Sequence, residues 1–259
     1  MALDFGASNR RIDISSAASI EGMTEFSVLM WIYADATAKD DGLFYRVNAS
    51  NGSVYRFIYE DTSGNIQFAV WQTNADIDYV ITNDGAGAAG SWKCVAGTFD
   101  TTNETQIYSG DLTTPLSEAS YGTTYSGGSG GLATHDGTLT VGNNSFVQST
   151  RFFDGRIAIF KHFSSRLTLA ELIMQQYTFA PRSDMNVFMQ MGRSGTTTQI
   201  DLSGDSNNGS ITGATVADHV PYDFERRGSL LVPKSVIRSG SLVNGGLVNT
   251  GLINTGLIT

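Results

Sequence analysis

Short apolar stretches alternate with turn sequences along most of the chain. Residues 26–33, 54–59 and 66–71 show period-two alternation or short apolar runs, which is typical of β-strands. The other predicted strands cover residues 77–81, 92–99, 139–141 and 156–163. Turn sequences separate these strands, among them Asn51-Gly52, Ser63-Gly64-Asn65, Asp84-Gly85, Asp136-Gly137 and Asp154-Gly155.

One segment, residues 165–174, has apolar residues at helical spacing. Thr168 and Glu171 form a Thr-x-x-Glu capping box inside it, which satisfies the first free amides of a helix. Many strands with a single short helix predict an all-β fold, an antiparallel two-sheet sandwich of the jelly-roll type. An apolar content of 41% is sufficient for a large core.

Five segments resemble the laminin-G-like, concanavalin-A-like lectin and glucanase jelly rolls. They are Ala-Leu-Asp-Phe-Gly at residues 2–6 with Arg-Ile-Asp-Ile at 11–14, the aromatic strand at 26–33, Trp-Lys-Cys-Val-Ala-Gly-Thr-Phe-Asp at 92–100, Phe-Asp-Gly-Arg-Ile-Ala at 153–158, and Asp-Leu-Ser-Gly-Asp-Ser-Asn-Asn-Gly-Ser at 201–210. The resemblance covers about residues 1–224. It implies a concanavalin-A-like sandwich for residues 1–224, followed by a tail at 225–259.

Charge and cysteine content exclude several classes of function. The net charge of −9 repels phosphate backbones, so nucleic-acid binding is not expected. Cys94 is the only cysteine, which excludes an intrachain disulfide, and its place in a predicted strand indicates a buried thiol. No apolar run approaches the roughly 18 residues of a membrane span. Met1 leads directly into the first strand, so a signal peptide is not expected.

Catalytic groups are sparse in the sequence. Glucanases of this fold need two carboxylates close together, and the nearest candidate is Asp76-x-Asp78. This pair has no third carboxylate and adjoins a turn, so exposed residues at a strand entry are the favoured explanation. The three histidines are scattered. The sequence therefore favours a protein that is not an enzyme.

A candidate calcium site lies in the loop after residue 200. Asp201, Ser203, Asp205 and Asn207 offer oxygen atoms at every second position, as calcium-binding loops do. An ordinary turn, in which Asp and Asn bond their own backbone amides, gives the same spacing. Both interpretations stay open.

Sugar binding requires exposed aromatic faces beside polar side chains. Trp71 shares a strand face with Gln67 and Thr73, while Phe68 and Val70 point the other way. Tyr55 lies on the neighbouring predicted strand. These residues form the predicted glycan site: Trp71, Gln67, Thr73 and Tyr55. Packing of the aromatic residues in the core is the alternative.

The C-terminal tail is an uncharged five-residue repeat. From Ser241 it reads Ser-Leu-Val-Asn-Gly, Gly-Leu-Val-Asn-Thr, Gly-Leu-Ile-Asn-Thr, Gly-Leu-Ile-Thr, after a basic linker. Four repeat units are too few to bury a core of their own. We therefore expect the tail to dock onto a partner rather than to be a disordered end. The docking residues are Leu242, Val243, Leu247, Val248, Leu252, Ile253, Leu257 and Ile258.

Lectin-like sandwiches usually meet glycans outside cells, whereas no export signal is expected here. Virion proteins of tailed bacteriophages combine these properties, because they fold in the host cytoplasm and leave by lysis. The resemblance is therefore consistent with a non-enzymatic virion surface protein, either a head-decoration (cement) protein or a tail adhesin. Its partners would be the major capsid or tail protein, copies of itself (most simply a trimer) and a cell-surface glycan. A carbohydrate-binding module of a cellular surface protein is the alternative, and a glycan-active enzyme is a weaker one.

Overall fold

The computed structural model describes most of the first 220 residues. The described ranges are 1–6, 9–15, 18–21, 23–47, 53–73, 76–102, 104–128, 132–133, 137–143, 151–179, 181–195 and 197–220. No helix in these ranges is long and apolar enough to cross a membrane.

Strands make up most of the regular structure. They are β1 (Ala2–Asp4), β2 (Arg11–Ile14), β3 (Phe26–Ala34), β4 (Gly42–Val47), β5 (Ser53–Tyr59), β6 (Ile66–Trp71), β7 (Ile77–Thr82), β8 (Trp92–Asp100), β9 (Glu104–Asp111), β10 (Ser117–Glu118), β11 (Tyr121–Ser126), β12 (Leu139–Val141), β13 (Gly155–Phe163), β14 (Met185–Gln190), β15 (Thr198–Gln199), β16 (Gly209–Thr212) and β17 (Thr215–Ala217). A 3-10 helix covers Ala18–Ile20, and α1 spans Leu169–Tyr177.

The strands form two antiparallel sheets. Sheet A has the order β10-β9-β8-β3-β13-β1-β17, and β14 also pairs with β13. Sheet B has the order β11-β7-β6-β5-β4-β12-β2-β16-β15. The predicted all-β sandwich of two antiparallel sheets with one short helix is confirmed within the described residues.

The core lies between the inner faces of the two sheets. Phe26 and Val28 of β3 point inward from sheet A, and Phe68 of β6 points inward from sheet B. The rings of Phe26 and Phe68 meet edge to face, with centroids 5.7 Å apart. Gly97 lies opposite Val28, and a Cβ at Gly97 would lie 3.1 Å from the Phe68 ring. Glycine at this position therefore lets the sheets approach each other closely.

The predicted strands agree closely with the observed ones. Residues 66–71 and 139–141 are strands with the predicted bounds. Each of the other predicted strands is observed with one additional residue at one end. Alternation along these segments reports burial directly, which explains the agreement. Cys94 lies in β8 and is fully buried, as predicted. Strands that the sequence analysis missed include β4, β9, β11 and β14.

Helix α1 begins later than predicted because its cap sets the start. The N–H and hydroxyl of Thr168 donate to Oε2 of Glu171 at 2.9 and 2.8 Å, so the capping box is confirmed. Thr168 is therefore the cap, and the helix starts at Leu169 rather than at residue 165. The end of the helix lies over sheet A, where the indole nitrogen of Trp31 donates to the carbonyl oxygen of Gln176 at 3.2 Å.

The predicted boundary at residue 224 and the predicted tail lie outside the described residues. The same holds for every predicted docking residue: Leu242, Val243, Leu247, Val248, Leu252, Ile253, Leu257 and Ile258. Docking through these residues stays a prediction.

Candidate functional site

The outer face of sheet B carries a row of side chains that crosses four neighbouring strands. In order across the sheet they are Arg56 of β5, Ala69 of β6, Tyr79 of β7 and Tyr125 of β11, each opposite the next. Residues opposite one another in paired strands share a face. Phe68, next to Ala69, belongs to the core, so the row faces away from sheet A.

Two residues of β6 fix the guanidinium of Arg56. Its Nε and one terminal nitrogen donate to Oε1 of Gln67 at 3.1 and 2.8 Å. Its Cζ lies 5.3 Å from the ring centroid of Trp71, within reach of a cation–π contact. Gln67 and Trp71 lie two positions on either side of Ala69, so both are on the outer face.

Aromatic rings continue this surface toward the edge of the sheet. The rings of Tyr79 and Tyr125 stack with centroids 5.4 Å apart and planes 19° apart. Tyr125 is 47% exposed, while Trp71 and Tyr79 are partly exposed. The outer-face cluster therefore combines three accessible aromatic rings with one fixed cation, and it consists of Arg56, Gln67, Trp71, Tyr79 and Tyr125.

The predicted glycan residues fall into different environments. Trp71 shares its face with Gln67, as predicted, and Thr73 is exposed in the turn after β6. Gln67, however, is only 7% exposed. Because its carbonyl oxygen accepts two hydrogen bonds from Arg56, Gln67 positions the guanidinium instead of facing solvent.

The placement of Tyr55 in the glycan site is wrong. Tyr55 lies opposite Val70, and both side chains are fully buried in the core. Its ring lies 4.5 Å from that of Phe26, and its hydroxyl is 3.3 Å from Nε2 of His162. Burial raises the pKa of Tyr55 to about 12. The outward residue of β5 at this place is its neighbour Arg56.

The predicted glycan site lacked three residues of the cluster: Arg56, Tyr79 and Tyr125. A signal for Arg56 was available, because it alternates with the apolar Tyr55 and Phe57 and must face the other side of the strand. Tyr79 gave a similar signal within the predicted strand at residues 77–81. The position of Tyr125 beside Tyr79 could not be predicted, because β11 was not recognised as a strand.

Asp201 of the predicted calcium loop organises the loop through its own carboxylate. Oδ1 accepts the N–H groups of Phe188 and Ser203 at 2.8 and 2.9 Å. Oδ2 accepts the Ser203 hydroxyl at 2.7 Å and the Asn207 N–H at 2.9 Å. A carboxylate has about four acceptor sites, so donors of the chain itself occupy those of Asp201.

The remaining loop residues also make internal hydrogen bonds. The N–H of Asp205 donates to the Ser203 hydroxyl at 3.2 Å, and the side-chain amide of Asn207 donates to the carbonyl oxygen of Asn186 at 2.6 Å. Among the described residues, no three His, Cys, Asp or Glu side chains are grouped to hold a metal ion. The geometry is that of an Asx turn, and calcium binding at Asp201, Ser203, Asp205 and Asn207 stays a prediction.

The candidate carboxylate pair Asp76-x-Asp78 is divided between two environments. Asp76 is exposed ahead of β7, whereas Asp78 is 2% exposed. The Asp78 carboxylate accepts a hydrogen bond from Gln72 Nε2 and one from the Gly128 N–H, the latter at 2.9 Å. Asp78 therefore ties the chain near Gly128 to β7, which is a structural role.

Comparison with known families agrees with this architecture. Residues 6–173 match the Laminin_G_3 model, described as the concanavalin A-like lectin/glucanases superfamily. The chain belongs to this superfamily. The matched range includes every residue of the outer-face cluster. It ends before the Asp201 loop, so the family match does not extend to the candidate calcium residues.

Solved structures show the same fold at low sequence identity. A Bacteroides ovatus protein with a proposed carbohydrate-binding role is 18% identical, with a TM-score of 0.57; the match covers 84% of this chain and 59% of that one. A heptameric SAP-like pentraxin from Limulus polyphemus is 13% identical, with a TM-score of 0.52; the match covers 67% of this chain and 80% of that one. Comparison with curated protein sequences gives no match. The chain thus spans less than two thirds of the length of the Bacteroides protein.

Proposed function

We propose that the sandwich is a non-enzymatic carbohydrate-binding module and that its ligand lies on the outer-face cluster. The observation that carries this proposal is the row of accessible rings beside the fixed guanidinium of Arg56. Ring faces pack against the apolar C–H faces of sugars, while polar groups at the ring edges bond hydroxyls. The carbohydrate-binding role proposed for the similar Bacteroides ovatus protein supports the same ligand class.

Binding without hydrolysis suits the residues on this face. The outward positions of β5, β6, β7 and β11 in the described chain are Arg56, Ile58, Gln67, Ala69, Trp71, Ile77, Tyr79, Ile81, Thr123 and Tyr125. None is a carboxylate, whereas retaining and inverting glycosidases both use an Asp or Glu pair at the scissile bond. The cluster holds a sugar in this proposal but leaves its glycosidic bond intact.

Glycan binding by the full-length chain and by Trp71→Ala tests the proposal. Removing the indole should weaken binding about two- to tenfold, since one aromatic contact contributes about 0.5–1.5 kcal/mol. Met174→Ala is a matched control, because Met174 is 55% exposed on α1, away from the cluster. Equal affinity of the wild type, Trp71→Ala and Tyr125→Ala for a glycan selected on an array would contradict the proposal.

We propose further that the chain is displayed on a tailed-phage particle as a decoration protein or adhesin, anchored through residues 225–259. The support is the repeat pattern of the tail, which has four leucines and no charged residue from Gly240 onward. Capsid or tail proteins, or copies of the same tail, would bury these leucines. A carbohydrate-binding module of a cellular surface protein has the same sandwich but no need for such an anchor.

A further inference from the structure

Most arginines in the described residues have a carboxylate partner. The pairs are Arg10 with Asp4, Arg11 with Asp13, Arg151 with Asp40, Arg156 with Asp35, Arg166 with Asp100, and Arg182 with Glu171 and Asp184. Arg56 differs from all of these. Its hydrogen-bond partner is the neutral amide of Gln67, and within the described chain no carboxylate forms an ion pair with it.

The carboxylates that act electrostatically on Arg56 are already engaged with other cations. Asp40 and Glu60 act on Arg56 electrostatically, but Asp40 lies 3.5 Å from Arg151 and Glu60 lies 3.4 Å from Lys39. Burial lowers the pKa of Arg56, yet a guanidinium stays protonated at neutral pH. Arg56 therefore carries a positive charge that the surrounding residues orient without pairing it directly.

Arg56 is partly exposed. Two of the five N–H groups of its guanidinium donate to Gln67, and the guanidinium lies beside the Trp71 ring. The N–H groups that do not reach Gln67 are the ones that a ligand on the outer face would bind. A guanidinium edge of this kind accepts a carboxylate or sulfate with two parallel hydrogen bonds.

We propose that Arg56 selects acidic sugars, binding the carboxylate or sulfate group of a glycan that lies on the outer-face cluster. This inference rests on the proposed carbohydrate binding and specifies its ligand class. The net charge of −9 disfavours anions over the surface as a whole. The local charge at Arg56 thus discriminates between glycans, and Gln67 acts as a positioning residue that holds the charge without neutralising it.

Three related oligosaccharides, which differ in whether they carry a carboxylate, a sulfate or neither, give the first test. Full-length protein is titrated with an oligogalacturonate, with its carboxyl-reduced neutral form, and with a sulfated form of that neutral oligosaccharide. The wild type should bind one or both acidic forms at least about tenfold more tightly than the neutral one. The carboxylate and sulfate arms identify which anion is preferred. Equal affinity for all three forms overturns the inference.

Substitution of Gln67 separates charge from packing. Gln67→Glu keeps the shape of the side chain and gives Arg56 a carboxylate of its own. The variant should therefore bind the acidic and neutral oligosaccharides with about the same affinity, while its affinity for the neutral one stays that of the wild type. Arg56→Gln should give the same result. Gln106→Glu is the matched control: Gln106 also accepts an arginine N–H, from Arg166 at 2.6 Å, but lies on sheet A. Preserved preference in Gln67→Glu contradicts the role of Arg56.

Failure of this inference is distinguishable from failure of the proposed function. One outcome is that the wild type binds the acidic and neutral forms equally and that Trp71→Ala abolishes binding of both. In that case the cluster is a glycan site that does not select by charge, and only the inference about Arg56 fails. If no array glycan binds the wild type, both proposals fail. As a direct readout, the Arg56 Nε–H resonance should shift with glucuronate but not with glucose. A shift of the Trp71 indole resonance alone would overturn the role of Arg56.

Discussion

The ammonium of Lys161 donates to the backbone carbonyl oxygen of Gln175 at 2.8 Å, beneath the last turn of α1. It also donates to Oε1 of Gln175 at 3.0 Å and lies 5.2 Å from the ring centroid of Phe188. Lys161 is fully buried. A cation at this end of a helix meets the carbonyl groups that have no partner within the helix and the negative end of its dipole. Lys161 thus connects α1 to sheet A.

The pH dependence of stability should report this lysine. Burial lowers the pKa of Lys161 from 10.5 to about 7, so between these values the folded protein binds fewer protons than the unfolded chain. The free energy of unfolding therefore rises with pH in this window, by up to about 1.4 kcal/mol per unit. Lys161→Met should lack this rise. Urea denaturation of both proteins from about pH 7 to pH 9.5 measures the difference, and a constant difference would contradict the prediction.

Cys94 should be chemically inert in the folded protein. Burial raises the pKa of its thiol well above the ordinary value, although the nearby Lys161 opposes this effect. Because the thiolate is the reactive form, a thiol reagent should label Cys94 only after unfolding. Labelling followed by mass spectrometry, with and without urea, checks this. Rapid labelling in native buffer would show that β8 opens locally.

Asp201 should stabilise the fold with or without calcium. Asp201→Ala leaves the N–H groups of Phe188 and Asn207 without their acceptor, which should cost about 2–4 kcal/mol. Asp205→Ala, an exposed position in the same loop, is the control and should cost little. Melting in calcium and in EDTA tests the predicted calcium site in this loop. A fall of the melting temperature in EDTA that Asp205→Ala abolishes would establish calcium binding, whereas equal melting temperatures would contradict it.

The tail proposal predicts a defect in assembly rather than in folding. Leu247→Asp combined with Leu252→Asp places charges where a partner would bury leucines, and charges are not buried there without partners. The full-length variant should melt like the wild type but lose self-association or particle binding. Light scattering and cosedimentation with particles measure both. If the variant still assembles, the tail is not the anchor.

Alternation along single strands predicted most of the fold, but it missed several strands, among them β4 inside sheet B and β11 at its edge. Residues 66–71 bury one face against the core, so their pattern marks the strand. Strand β11 is an edge strand whose residues from Gly122 to Ser126 are exposed, and nothing in its mixture of Gly, Thr, Tyr and Ser requires an extended conformation. The helix was predicted too early because its apolar spacing outweighed the cap at Thr168.

The candidate site depended on information that a single strand does not contain. Alternation shows that Gln67 and Trp71 share a face and that Tyr55 and Arg56 point in opposite directions. The pairing of Tyr55 with Val70 is what places Arg56, and not Tyr55, on the same face as Trp71. The spacing of oxygen atoms from Asp201 to Asn207 fits both a calcium loop and an Asx turn. The donors around Asp201, including the Phe188 N–H from another strand, are set by tertiary structure.

The pairing of β1 with β17 has a consequence for how this module can be combined with other proteins. Ala2 lies opposite Ala217, and Cα atoms opposite one another in an antiparallel pair are about 4.5–5.5 Å apart. Entry to and exit from the sandwich therefore occur at one place. A host protein can receive residues 2–217 as an insertion within a single surface loop, because the two junctions need a gap no wider than one strand spacing.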